Sequence, residues 1–255
     1  MLGTIISGLG VALKTIDFVS NNIANAKSNG FKTSSGSFKD VYPFENAENI
    51  RTMGRGATSA SKVLTNQKQG SIMETGNALD VAIQGVGYFV LLPASGVPLK
   101  FTRDGSFSLS AAGELKTIDG DFVMTPQLKK IVVPMEDING NALTNVQVMP
   151  DGRVLAEYGL QPKIELARIA MANFKNPGRL TADGAGKFME NSASGTAEIA
   201  PPTSDGLGNL VGGALELSNT DITSELTTML KAQQAFSANS KMLQTEGEII
   251  KKFLS

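Results

Sequence analysis

The chain has 255 residues and a formal net charge of -1. That length can bury a sizeable core in one or two domains. Near-neutrality gives no electrostatic reason to expect nucleic acid or an acidic membrane surface as a partner. With neither cysteine nor histidine, disulfides, thiolate nucleophiles, histidine acid–base catalysis and zinc sites built on those ligands are excluded.

Leu2, Ile6, Leu9, Leu13, Ile16, Ser20 and Ile23 recur at alternating steps of four and three, the spacing of a helix with one apolar seam. Gly8 and Gly10 inside it cost about 1 kcal/mol each against alanine, so this helix relies on packing. Lys14 interrupts the apolar stretch, and no run reaches the roughly 18 apolar residues of a membrane span. No charged region precedes the stretch either, so neither membrane insertion nor a cleaved secretory signal is expected. Asn21, Asn22, Asn25 and Asn29 with Gly30 fit a helix ending in a left-handed cap, and Phe31 offers an apolar anchor just beyond.

Residues 33–37 are small and mostly polar, and residues 45–62 read as an extended or mobile connector. From Val63 short apolar runs alternate with glycine. Asp80 to Leu92 reads as two strands around the Gly85-Val86-Gly87 kink, and Phe101 to Leu109 alternates at period two. Glu114–Ile118 and Phe122–Met124 flank Asp119-Gly120, a strong hairpin signal. Ile131–Val133, Val146–Met149, Arg153–Ala156 and Ile164–Ala170 continue an antiparallel meander. Residues 176–213, rich in Gly, Pro, Ser and Ala, read as irregular, with one or two strands near Phe188 and Ile199.

The chain closes on a second helix from Asp221 to Leu254. Ile222, Leu226, Met229, Gln233, Phe236, Ser240, Leu243, Gly247, Ile250 and Leu254 repeat the four–three alternation, with Asn219 or Asp221 able to cap the start. A seam of this kind needs another helix to cover it, either the first helix of the same chain or a copy in a neighbour. The expected class is α+β. Terminal helices (1–32 and 214–255) pair as a coiled-coil-like domain, 33–75 forms a connector and the start of the β region, and 76–213 forms a central antiparallel β domain.

The candidates for chemistry are weak. Gly85-Val86-Gly87 lacks the third glycine and following helix of a dinucleotide site. Ser59-Ala60-Ser61-Lys62 matches a nucleophile motif but has no partner motif. Asp119-Gly120-Asp121 lacks the spacing of a calcium loop. Arg103-Asp104 reads as a turn with a solvated salt bridge. No carboxylate pair stands out, so no enzyme activity, cofactor or metal is expected.

Three stretches together resemble the axial proteins of the bacterial flagellum, its rod and hook. The first is Asn21-Asn22-Ile23-Ala24-Asn25 with Asn29-Gly30-Phe31-Lys32. The second runs from Leu79 to Phe89 and from Phe101 to Phe107, and the third from Gly213 to Ile222 and from Ala232 to Asn239. Where the family usually carries arginine and tyrosine in the last block, this chain has Gln234 and Phe236. The resemblance implies a helical tube whose terminal helices line a channel, with β domains outside. It also implies self-assembly, contact with other rod and hook proteins, and export without a cleaved signal by the flagellar type III apparatus. It points to the periplasm-spanning rod of the basal body, with a short hook subunit as the alternative and an adhesin or phage-tail module as a more distant one. The assembly interface would comprise Leu2, Ile6, Leu9, Leu13, Ile16, Ile23, Asn25, Phe31, Ile222, Leu226, Met229, Gln233, Phe236, Leu243, Ile250 and Leu254.

Overall fold

A computed structural model of the chain describes residues 2–41, 57–137, 140–159, 161–204 and 206–254. It is α+β and divides into two compact units. One holds Met1–Ala26, Thr33–Asn66 and Thr220–Ser255; the other holds Lys27–Lys32 and Gln67–Asn219.

The first unit is built on helices α1 (Leu2–Ala24) and α2 (Ile222–Leu254) and on an antiparallel ribbon of β1 (Ser34–Val41) and β2 (Ala57–Thr65). α2 starts where Asp221 accepts a hydrogen bond from the backbone N–H of Thr223, as an N-cap should. Its ends carry matching charges, Glu225 in the first turn and Lys251 and Lys252 in the last, which oppose the helix dipole. Of the small polar residues after Lys32, those from Ser34 on are strand, because β2 supplies the backbone partners they need. Of the 45–62 connector, residues 45–56 lie outside the described residues, and 57–62 are extended in β2.

Among the described residues, the second unit contains sixteen short strands. They are β3 (Ile72–Glu74), β4 (Val81–Gln84), β5 (Tyr88–Leu92), β6 (Lys100–Thr102), β7 (Phe107–Leu109), β8 (Leu115–Thr117), β9 (Phe122–Val123), β10 (Leu143–Val148), β11 (Arg153–Tyr158), β12 (Ile164–Arg168), β13 (Met171–Asn173), β14 (Thr181–Gly184), β15 (Lys187–Met189), β16 (Glu198–Ala200), β17 (Asn209–Gly212) and β18 (Ala214–Glu216). The largest sheet runs β14-β15-β6-β5-β9-β8-β7, with β13 joining β5 to β16. β10-β11-β12 forms a separate meander, while β17 pairs β4 and β18 pairs β3. Every described strand pairing is antiparallel.

Strand β5 sits at the centre of this unit and is covered on both faces. Alternate side chains of a strand point opposite ways. Phe89 and Leu91 join one apolar cluster with Val81, Ile83, Phe107 and Ile131. Tyr88 and Val90 join the other with Phe101, Met124, Phe174 and Phe188. Edge-to-face ring pairs fix both layers, Phe89–Phe107 at 5.0 Å and Phe101–Phe174 at 4.8 Å between centroids. The Gly-x-Gly kink falls between β4 and β5, with Gly85 and Gly87 at positive φ of 112° and 133°.

Three sequence expectations need correction here. Phe101 to Leu109 is two strands, broken at Arg103-Asp104-Gly105, because Gly105 is pressed against the Val81 carbonyl and donates no side chain to either face. Ile131–Val133 forms no strand; it is held by isolated contacts such as the Glu114–Val132 bridge. Residues 176–213 contain four complete strands, too short to show a period in sequence.

Candidate assembly site

In the first unit the two helices are antiparallel. Gly8 lies against Asn239, whose side-chain nitrogen would sit 2.9 Å from an added Cβ, and Asn22 reaches Glu225. As α1 advances between these contacts, α2 retreats by the same number of residues. On α1 the buried stripe is Ile5, Ala12, Val19 and Asn22. On α2 the facing stripe is Glu225, Met229, Ala232, Phe236, Asn239, Leu243 and Glu246, all buried or half-buried and again spaced four and three.

The seam read from sequence coincides with this contact only in part: on α2 it shares Met229, Phe236 and Leu243, while on α1 it lies one residue off the buried stripe of Ile5, Ala12 and Val19. Met229, Phe236 and Leu243 face inward and are half-buried, as are Leu9, Ile16 and Ile23. Ile6, Leu13, Ile222, Leu226, Gln233 and Ile250 are exposed. The side chains of Leu2 and Leu254 lie outside the described ones. Asn25 donates to the Asn21 carbonyl at 2.9 Å, and Phe31, half-buried, accepts from the Asn219 N–H through its carbonyl. The geometric reason is simple: one helix covers a stripe about one side chain wide, and each helix here carries a second apolar column rotated by one residue.

Asn22, in sequence part of a helix end and of the first flagellar stretch, has a structural role that neither shows. It is buried, and its amide bridges three elements. Nδ2 donates to the Ser34 carbonyl at 3.0 Å and to Glu225 Oε1 at 3.2 Å, while Oδ1 accepts from the Ser34 N–H at 2.9 Å. Beside it lies a cleft of about 280 Å³ lined by Thr15, Phe18, Val19, Asn22, Ser34, Ser35, Gly36, Glu225 and Thr228.

In the second unit, Lys32, Arg103 and Glu216 form a buried ion cluster. The side chains of Lys32 and Glu216 are 1% and 0% exposed, and they meet at 2.6 Å. Arg103 reaches the other Glu216 oxygen at 3.2 Å. The Gly70 N–H donates to Glu216 Oε1 at 2.9 Å, and Lys32 also donates to the Lys68 carbonyl at 2.9 Å. Arg103 donates to the Gly85 carbonyl at 2.9 Å and stacks its guanidinium over Tyr88 at 5.2 Å. Its Nε is buried without a partner among the described residues. The expected solvated Arg103–Asp104 salt bridge is corrected: the guanidinium points inward because a buried carboxylate awaits it there.

Glycine makes this convergence possible. Gly30 has a φ of 64°, its N–H donates to the Glu216 carbonyl at 2.7 Å, and an added Cβ would lie 2.5 Å from the Arg103 backbone carbon. Burial holds the Lys32 ammonium below its ordinary pKa, although the hydrogen bond to Glu216 opposes that shift. Burial also pushes the Tyr88 phenol up to about 12, while its O–H donates to Gln67. A second buried lysine behaves the opposite way. Desolvation alone would lower Lys187, yet Asp121 and Asp119, at the β8–β9 turn, together raise it.

Among the described residues, no group of three acidic side chains converges to hold a metal. By length and composition α1, over Gly3–Ala24, would suit a membrane span, its best window having a mean hydropathy of 1.2. Lys14 and Asp17 fall inside that span, so it passes on average hydropathy and not as an uninterrupted apolar run.

Two family models match. Residues 82–156 match the one described as the flagellar hook protein FlgE/F/G D1 domain, and residues 211–255 the one described as the flagellar basal body rod FlgEFG protein C-terminal. Arg103 falls in the first segment and Glu216 in the second. Both descriptions belong to the flagellar axis, so the class is that of its axial proteins. The flagellar basal-body rod protein FlgG of Borreliella burgdorferi is 34% identical over 98% of this chain and 95% of its own length. FlgG of Caulobacter vibrioides is 34% identical and that of Bacillus subtilis 32%, each over 98% of this chain and 96% of the relative. The hook protein FlgE of Brucella suis is 40% identical, but over only 44% of this chain and 29% of that protein. The chain belongs to the family of flagellar basal-body rod and hook proteins.

Proposed function

We propose that this chain is a structural subunit of the flagellar basal-body rod, polymerising with copies of itself into a hollow helical tube. Its terminal helices line the channel in coiled-coil-like contacts, and its β unit faces outward. The shaft transmits torque to the hook and passes exported subunits. Its neighbours are other rod and hook proteins, and it reaches the periplasm through the type III apparatus without a cleaved signal or membrane insertion.

One observation carries this reading. Ile6 and Leu13 on α1, with Ile222, Leu226, Leu230, Met242, Ile249 and Ile250 on α2, stay exposed after the helices have packed on each other. Apolar columns of that length on a folded chain call for cover, and a repeated heterologous contact supplies it while building a filament. The near-full-length match to rod relatives, against the partial match to a hook protein, favours rod over hook.

Leu226→Asp, on the exposed column, tests it. A carboxylate there leaves the helix–helix stripe within the chain intact and should abolish rod assembly and motility in a strain carrying only this variant, while the β unit keeps its cooperative unfolding transition. Motility at the parental level would overturn the assignment.

A further inference from the structure

Among the described residues, the antiparallel pairing carries the last turns of α2 past the start of α1. Gly8 faces Asn239 and Asn22 faces Glu225, so Leu2 lies opposite α2 near residue 245. The last nine or so residues of α2 then run about 14 Å past the start of α1, at 1.5 Å per residue. That overhang carries Ile249 and Ile250, both exposed, and Phe253, 87% exposed, beside Lys251 and Lys252. At the other end of the helix pair lies the 280 Å³ cleft, with Phe18 and Val19 on one wall and Thr228 and Glu225 on another. The cleft is smaller than the roughly 300–1,000 Å³ typical of ligand pockets, which suits one inserted side chain better than a cofactor. Among the described residues no ion pair reaches Glu225; one of its oxygens accepts only from Asn22.

We infer that the cleft formed by α1, β1 and the first turns of α2 receives the C-terminal overhang of α2 from a second copy of the chain, Phe253 entering and the adjoining lysines meeting Glu225. Charge complementarity selects this occupant. The acidic first turn of one α2 faces the basic last turn of the next, and the two helix dipoles align head to tail. The contact uses different surfaces on the two copies, so it repeats along an axis without closing. It rests on the rod reading and adds to it the axial joint between subunits.

The chain has no cysteine, so introduced pairs report without background. In full-length protein concentrated until sedimentation velocity detects assemblies, Thr228→Cys mixed with Lys252→Cys should give a disulfide-linked heterodimer in excess of either homodimer. One chain bearing both should give a ladder. The two positions are about 36 Å apart on one helix, too far for a bridge within a chain. Phe253→Ala, at an exposed site that the fold does not use, should weaken association about tenfold. Glu225→Lys should do the same, and Lys251→Glu with Lys252→Glu in the same chain should restore it to within about threefold of the parent. Assemblies that form without the 228–252 bridge, or that bridge position 228 to Thr4→Cys instead, overturn this joint and leave the rod reading standing. A chain that stays monomeric at every concentration overturns the rod reading and the joint together.

Discussion

Among the described residues, Glu216 is the single counter-charge for two buried cations, so Glu216→Gln is the sharpest perturbation of the β unit. The amide keeps the shape of the side chain and one acceptor oxygen, which can retain the Gly70 N–H or the Lys32 ammonium but cannot neutralise Lys32 and Arg103. Both cations are at least 96% buried by the side-chain exposures of 1% and 4%, so solvent screening offers little relief. Removing one partner of a buried pair costs about 3–5 kcal/mol, much of it the penalty for the charge left behind. With Lys32 already held below its ordinary pKa by burial, the variant has a partial escape by deprotonating that lysine, which sets the expectation near the middle of the range, about 4 kcal/mol. At about 2–4 °C per kcal/mol for a chain of this size, the β-unit melting temperature should fall by roughly 8–16 °C. The assay is thermal and guanidinium unfolding followed by circular dichroism. Lys32→Met with Arg103→Met and Glu216→Leu, an all-apolar replacement, should recover most of the loss. A Glu216→Gln chain within about 1 kcal/mol of the parent would refute the assignment of structural weight to this cluster.

Gly30→Ala should destabilise by about 3 kcal/mol, combining left-handed strain with a clash against the Arg103 backbone. Gly76→Ala has a similar φ of 74° but open space for its Cβ, so it should cost clearly less in the same melts, and equal losses would contradict the close approach. Tyr88 is protonated in the fold up to about 12 but titrates near 10 when unfolded, so the unfolded state releases its proton first. Its contribution is complete below pH 10 and is lost as pH rises, by about 2–3 kcal/mol at pH 12. Lys187, raised by its two aspartates, adds to the same alkaline loss. Tyr88→Phe should flatten the stability curve between pH 10 and 12, measured by denaturant midpoints at fixed pH.

Both terminal helices were legible because their apolar residues hold a helical period over many turns. The Gly85-Val86-Gly87 kink and the Asp119-Gly120 hairpin were legible because turn chemistry is local. What stayed hidden is non-local. Lys32, Arg103 and Glu216 are scattered along the chain, and each looks like a surface residue until the fold buries it. Gly30-Phe31-Lys32 showed as a motif without its reason, which is that Gly30 and Lys32 lock onto strand β18. Strands of two to four residues such as β9 and β14–β18 carry no measurable alternation, so composition alone made 176–213 look irregular. On α1 the column legible as a seam, Ile6, Leu13 and Ser20, lies one residue past the one that packs on α2. Two-helix packing takes Ile5, Ala12 and Val19, and the neighbouring column of Ile6 and Leu13 remains outside it.

That uncovered column is the centre of the functional reading, and helical reconstruction by electron cryomicroscopy of particles assembled from the full-length chain measures its fate directly. A hollow tube in which Ile6, Leu13, Leu226 and Ile250 are covered by neighbouring copies is the predicted result. An ordered particle, or a monomer, in which those side chains remain in water would contradict it.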